Sequence, residues 1–470
     1  MTLISTSYSN RPGETRVVQL QDTASFIDEI IRQRIDTLTS ENSSIWSSPD
    51  HNRREYVHSF FQYPAMMVPI VQKRIIDVIK QAKPNIHNVI DPFMGSATSL
   101  VACMQNGLNC HGQDINPLSI LIGKTRTGPY YVDAIKEKHK DLIQQIENDR
   151  SNAIEAKFNG RDKWFKRSVS IELSKIVRAI RNEPRLAIRR FYWLNLAETI
   201  RLTSNDRTST FKLHARALED IENRNPSPIK EFKNHLLQSI EDLELYRQLL
   251  LKSNQLSRGA YKGNIELRLQ DSSKKIITPE NKKEYFDLLV TSPPYGDNKT
   301  TVTYGQHSYL PLQWIDLNDI DEKANADFLR TTLEIDRRSL GGKITKLTKE
   351  ELAALCEKST ALSEVYTRLH AEAPALVSKV LVFLKDLFQV IEKVFEVMMP
   401  NSYQVWTIGN RTVGGIEIPN NEILKDFIQF KGGILVTQIE REILNKRMAK
   451  RNSNSALMNF EDILIFRKVD

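Results

Sequence analysis

The sequence predicts an α/β protein: a mostly parallel, doubly wound sheet interrupted by long helical insertions. Three observations carry this. Short apolar runs bounded by polar or turn-forming residues recur at 88–91, 108–114, 265–269 and 286–290, and again at 403–408, 433–439 and 462–466; most read as strands buried on both faces. Several of these runs are separated by segments with apolar residues at helical spacing, the order of a βαβ chain. Between Tyr130 and Arg258 that alternation stops, and the chain becomes long, charged and helical in pattern. With 470 residues there is enough chain for a full doubly wound core and a second body.

Composition sets outer limits. The net charge of +8 suits a phosphate-rich partner, but only if the excess gathers on one face. Cys103, Cys110 and Cys356 are too few and too scattered for a disulfide framework or a thiolate metal site, which fits a reducing compartment. His and Cys nowhere occur at ligand spacing, so no metal is expected. No stretch is apolar for long enough to span a membrane and the start lacks an apolar signal core, so a cytoplasmic protein is expected.

Taken in order, residues 23–38 predict a helix with Ile27, Ile30, Ile31 and Ile35 on one side. Tyr63-Pro64 leads into a second helix carrying Val68, Val71, Ile75, Ile76 and Ile79. The stretch 88–100 reads as strand, tight turn and helix start: Asp91 closes the strand, Phe93 follows, Gly95 permits close backbone approach, and Ser96 or Thr98 can cap the helix. Asp114 ends the next strand about 20 residues after the glycine turn, a spacing suited to gripping ribose hydroxyls; Asn116-Pro117 follows it.

The insertion at 130–258 places cations beside aromatics: Arg161, Lys163, Trp164, Phe165 and Arg167, then Arg189, Arg190, Tyr192 and Trp193. Such a segment can grip phosphates, or it can be a solvated helical lid. Asn225-Pro226-Ser227-Pro228 breaks it in two. The alternating strand at 265–269 then leads to Asp271.

The run 286–290 delivers Thr291-Ser292-Pro293-Pro294-Tyr295. Prolines lack ladder donors and fix φ, so the strand ends there in a rigid loop with Tyr295 at its tip. Free carbonyls, a hydroxyl and an aromatic face held together suit a flat amine: they accept its protons while the ring stacks. Residues 296–314, with Lys299 and Tyr304, read as a polar loop around that point. A second charged insertion, about 316–372, carries Arg337 and Arg338 beside Gly341-Gly342. An apolar helix at 376–399 and three further strands complete the sheet, the last two as an antiparallel pair, with Lys446 and Arg447 in the basic segment between them.

Ser292 to Tyr295, together with the loop around Gly95 and with Asp114, resembles the motifs of DNA methyltransferases that modify exocyclic amino groups of bases. The resemblance covers about 53–128, 261–315 and 376–470. It implies a Rossmann-like seven-stranded methyltransferase sheet with S-adenosyl-L-methionine as cofactor. The chain then divides into a helical extension (1–52), a cofactor part (53–129), a helical insertion with a candidate target-recognition role (130–258), a catalytic part (259–315), a second insertion (316–375) and a final sheet part (376–470). Tyr63, Asp91, Phe93, Gly95, Ser96, Asp114, Asn116 and Asp271 are the implied cofactor residues; Ala97 stands where the family usually has glycine. Ser292, Pro293, Pro294 and Tyr295 are the implied catalytic residues. Arg161, Lys163, Arg167, Arg189, Arg190, Lys299, Tyr304, Arg337, Arg338, Lys446 and Arg447 are the implied contacts to double-stranded DNA.

Serine at the head of the tetrapeptide resembles the cytosine-N(4) branch; the adenine branch usually begins with Asp or Asn. The resemblance also implies a cognate restriction endonuclease acting on the same site. Adenine as substrate, RNA in place of DNA, and a non-catalytic DNA-binding subunit that retains the fold all remain open from sequence.

Overall fold

The computed structural model describes residues 14–444 and 459–469. Its centre is a seven-stranded sheet: β1 (Asn88–Asp91), β2 (Asn109–Asp114), β3 (Ile265–Leu269), β4 (Phe286–Thr291), β5 (Met398–Ile408), β6 (Gly433–Glu442) and β7 (Phe460–Lys468), in the order β6-β7-β5-β4-β1-β2-β3. β1 pairs in parallel with β2 and β4, β2 with β3, and β4 with β5, while β7 runs antiparallel to both β5 and β6. The Rossmann-like expectation is met, with all seven strands where the apolar runs placed them.

Strand alternation builds two cores. Val89, Leu288, Val290, Val405 and Ile465 face one, shared with helices Pro69–Ala82, Thr98–Gln105 and Pro117–Arg126. Ile90, Leu289, Trp406, Leu464 and Phe466 face the other, against helices Pro374–Val397 and Asn420–Phe430. The helical insertion adds a layer to the first core. Its helix Leu186–Thr203 buries Phe191, Tyr192, Trp193, Leu194, Leu196 and Ile200, and Tyr246 of helix Pro228–Lys252 donates its hydroxyl hydrogen to the Val101 carbonyl at 3.1 Å.

Three boundaries differ from expectation. The first helix spans Glu14–Glu41, well beyond 23–38. β5 starts at Met398, five residues before the apolar run, because its register with β4 shifts between Phe286 and Leu288. The stretch read as a polar loop contains helix Tyr304–Leu312. Its first turn is capped from a distance: the Asp336 carboxylate accepts from the Gly305 and Gln306 amides at 2.9 and 3.2 Å. Among the described residues no helix is long and apolar enough to cross a membrane.

Candidate active site

The strand order turns back between β1 and β4, and in open α/β sheets ligands sit outside the carboxyl ends of strands at that crevice. A cleft lies there, enclosing about 860 Å³ of empty space partly open to solvent. Tyr63, Phe93, Gly95, Ser96, Asp114, Asn116, Asp271, Ser292 and Pro294 all line it. Segments far apart in sequence therefore converge on one site.

Gly95 adopts φ +43, and a Cβ there would stand 3.2 Å from Tyr63 Cε1, so the turn and the close approach both require glycine. Ala97, where the resembled family has glycine, holds a left-handed φ of +57. Asp114 accepts from the Gly95 amide at 2.9 Å and the Asn116 amide at 2.8 Å. Burial outweighs these bonds and pushes its carboxyl up to about 6. Asn116 caps helix Pro117–Arg126 through the Leu118 amide (3.0 Å) and donates its side-chain amide to Ser308 Oγ (2.7 Å). The Tyr63 ring stacks on Tyr304 at 5.4 Å, and its hydroxyl oxygen accepts from Ser119 at 2.9 Å. At the end of β3, Asp271 Oδ1 is satisfied by Ser273.

Asp91 does something other than the expected cofactor contact. It is fully buried and does not line the cleft. Its carboxylate accepts from the Phe93 amide (3.0 Å), the Thr291 hydroxyl (2.6 Å) and the Ser99 hydroxyl, which ties the end of β1 to the end of β4. Burial raises its carboxyl to about 6 as well.

Ser292 and Pro294 line the cleft, Pro293 is buried, and Tyr295 is half-buried beside Ser292. The Tyr295 hydroxyl donates to Glu461 of β7 at 3.1 Å and lies 3.3 Å from Ser292 Oγ. Arg441 in turn grips Glu461 at 2.6 and 2.9 Å. Burial, then the Glu461 charge, lifts the Tyr295 hydroxyl well above the usual phenol range. Instead of standing free at a loop tip, the tyrosine is anchored at its far end. At the adjoining Gly296 a Cβ would overlap the Arg411 guanidinium, so any side chain there would displace Arg411 from its place beside Asp297. Asn298 lines the cleft with a buried side-chain oxygen that has no hydrogen-bond donor.

The expected DNA contacts separate into groups. Arg189 forms a double hydrogen bond to the Asp319 carboxylate at 2.7 and 2.8 Å, and Arg190 donates to the Asp319 carbonyl at 2.6 Å. Both hold one insertion to the other through Asp319, a role the basic run did not suggest. Arg161 pairs with Asp162, Lys163 lies over the Trp164 ring, and Arg167 is exposed. Lys299 donates to the Gly342 carbonyl at 2.7 Å. Tyr304 is drawn into the cleft wall. Arg338 lines the cleft, pairing with Glu334 at 3.0 Å and covering Phe328; Arg337 is exposed. Lys446 and Arg447 lie outside the described residues. Glu461, Arg441 and Asn298 escaped sequence reading, although an acid beside the apolar run 462–466 was a signal.

The residues present fit a nucleoside joined to a charged amino acid. Asp114 offers acceptors for hydroxyls, Phe93 and Ile115 offer apolar faces, and Asn298 keeps an unused acceptor. A family profile described as D12 class N6 adenine-specific DNA methyltransferase matches residues 72–256. The Type II methyltransferase M.MvaI of Kocuria varians is 33% identical over 458 residues, spanning 94% of this chain and 97% of that protein. M.MjaII of Methanocaldococcus jannaschii is 28% identical over 110 residues, 23% of this chain and 20% of that one, and M.AvaI of Anabaena variabilis 25% over 305, or 62% and 60%. The near full-length likeness and the cleft at the crevice lead to the same conclusion: the chain belongs to the Type II DNA methyltransferases.

Proposed function

We propose that this methyltransferase transfers the methyl group of S-adenosyl-L-methionine to the exocyclic N(4) of cytosine in duplex DNA, protecting a site cut by a cognate restriction endonuclease. The observation that carries the base assignment is Ser292: a neutral hydroxyl, not an Asp or Asn, heads the tetrapeptide where it meets the cleft. Asp114 would hold the ribose of the cofactor, Asp271 its base, and Tyr63 and Ser96 its amino-acid end. The bound cofactor supplies an electrophilic methyl group on a sulfonium.

An exocyclic amine conjugated with its ring is a weak nucleophile. Ser292 Oγ and the Pro293 carbonyl would accept its two hydrogens, drawing electron density back to nitrogen, while the two prolines fix that geometry. Tyr295 would stack on the extruded base, its ring held by the bond from its hydroxyl to Glu461. No covalent enzyme intermediate is required.

Adenine N(6) is the second reading, favoured by the adenine-specific description of the matching family profile. That match ends at residue 256, before the tetrapeptide, so it leaves the base-contacting residues undecided. Labelled methyl transfer to unmethylated genomic DNA, followed by nucleoside mass analysis, tests both. N(4)-methylcytosine supports the proposal and N(6)-methyladenine replaces it.

Cofactor affinity is expected to fall as pH drops through about 6. Above that value Asp114 is ionised and can accept from two hydroxyls; below it one oxygen carries a proton. The sign for stability is opposite. The carboxyl is raised from 3.8 to about 6 on folding, so the ligand-free fold binds the extra proton and loses stability as pH rises across that window. Calorimetric titration between pH 5 and 8 should show the affinity step in the parent and none in Asp114→Asn.

A further inference from the structure

We infer that the short hairpin 205–216 is a DNA-binding finger beside the mouth of the cleft, gripping backbone phosphates that flank the extruded base. The inference rests on the DNA-methyltransferase reading and adds to it the segment that seats the duplex.

The hairpin is built by backbone pairing and by one carboxylate. The Arg207 amide donates to the His214 carbonyl at 2.8 Å, and the Arg216 amide to the Asn205 carbonyl at 2.9 Å. Asp206 Oδ1 accepts from the His214 amide at 2.7 Å. The hairpin is then fixed to the segment that follows the catalytic loop. Thr303 donates its hydroxyl hydrogen to the Phe211 carbonyl at 3.1 Å, and the Leu213 amide donates to Gln306 Oε1 at 3.1 Å. Thr303 immediately precedes Tyr304, which lines the cleft, so the finger is anchored one residue from the cleft wall.

Its charges contrast with those of the surrounding insertion. On the insertion's helices, Arg178 pairs with Asp149 and Glu155, Arg181 with Glu155 and Asp316, and Arg189 with Asp319. The charges of these three arginines are therefore neutralised within the fold, whereas Arg167 is exposed. Arg207 and Lys212 have no such partner among the described residues, and Arg207 is exposed. Between Arg207 and Leu218 there is no acidic residue, and Thr208, Ser209 and Thr210 add hydroxyls that can both donate and accept. Unpaired cations with hydroxyls on a rigid finger are the composition of a phosphate-contacting element.

The test is the double substitution Arg207→Ala with Lys212→Ala, beside an equal charge removal, Lys140→Ala with Lys230→Ala. The control residues are exposed on helices that contribute nothing to the cleft. Methylation kinetics on unmethylated plasmid DNA and salt-dependent binding of the same DNA are the readouts. The hairpin pair should raise KM for DNA about tenfold or more, and should make the log-affinity against log-salt slope shallower by about 2. Its kcat at saturating DNA, affinity for S-adenosylmethionine and melting temperature should stay near the parent. Lys212→Glu alone should move KM in the same direction. An active parent whose hairpin variants keep the parental KM and slope, or change no more than the control pair, overturns the inference alone. A parent that transfers no methyl group to DNA removes the functional reading and this inference together.

Discussion

Ser292→Ala is expected to lower kcat by about 10²–10³-fold while leaving cofactor affinity unchanged, because the hydroxyl oxygen accepts a hydrogen bond from the amine that strengthens only as charge develops on nitrogen. Single-turnover methylation and a separate cofactor titration read the two quantities. Equal losses in both would mean that Ser292 holds the cofactor and not the reacting amine. Tyr295→Ala should be similarly damaging through loss of stacking. Tyr295→Phe keeps the ring and removes the hydroxyl's bonds to Glu461 (3.1 Å) and to Ser292 Oγ (3.3 Å). Glu461→Gln perturbs the same bond from its other end. The two milder variants should therefore be non-additive when combined. Additive effects would show that Glu461 acts chiefly through its bonds to Arg441 and not through the tyrosine.

Arg126→Met is expected to cost about 3–5 kcal/mol of stability, the largest single loss outside the apolar cores. The guanidinium is fully buried and donates to three carbonyls: Ser96 at 2.6 Å, Phe61 at 2.8 Å and His58 at 3.2 Å. Methionine would fill most of the space and leave all three without that donor. Ser96 lines the cleft, and residues 58–61 lead into Tyr63 in its wall, so on the proposed function cofactor affinity should fall with stability. Urea midpoints and a cofactor titration at 25 °C check both. Arg126→Lys, which can satisfy one or two carbonyls, should recover part of each. A methionine variant with a parental midpoint would mean that water replaces the guanidinium without loss.

The sheet was legible because its strands carry their own evidence. Val89-Ile90, Leu288-Leu289-Val290 and Val405-Trp406 face opposite cores within one short run, and only a strand buried on both sides needs that. The convergence of Gly95, Asp114 and Pro294 on one cleft was legible for a similar reason, since the turn at Gly95 and the end at the two prolines follow from local backbone geometry. What stayed hidden depends on partners far away in sequence. Helix Tyr304–Leu312 contains Gly305 and Pro311 and starts on a cap supplied by Asp336. Arg189 and Arg190 look like free cations until Asp319 is brought beside them. Asp91 looked like a ligand contact because its position at a strand end is right for one; Thr291 and Ser99 claim it instead. Hairpin 205–216 offers neither periodicity nor hydrophobic weight to mark it.

The placement of β7 has a consequence for how the enzyme comes into being. The strand is the last of the seven in the chain, yet it lies inside the sheet, between β5 and β6. During synthesis the earlier strands emerge first, and β6 has no neighbour to pair with until residues 460–468 clear the ribosome. Glu461 arrives in that same segment. A nascent chain can thus assemble the crevice between β1 and β4 while Tyr295 still lacks its anchor, so that wall of the site is completed by the last strand to emerge.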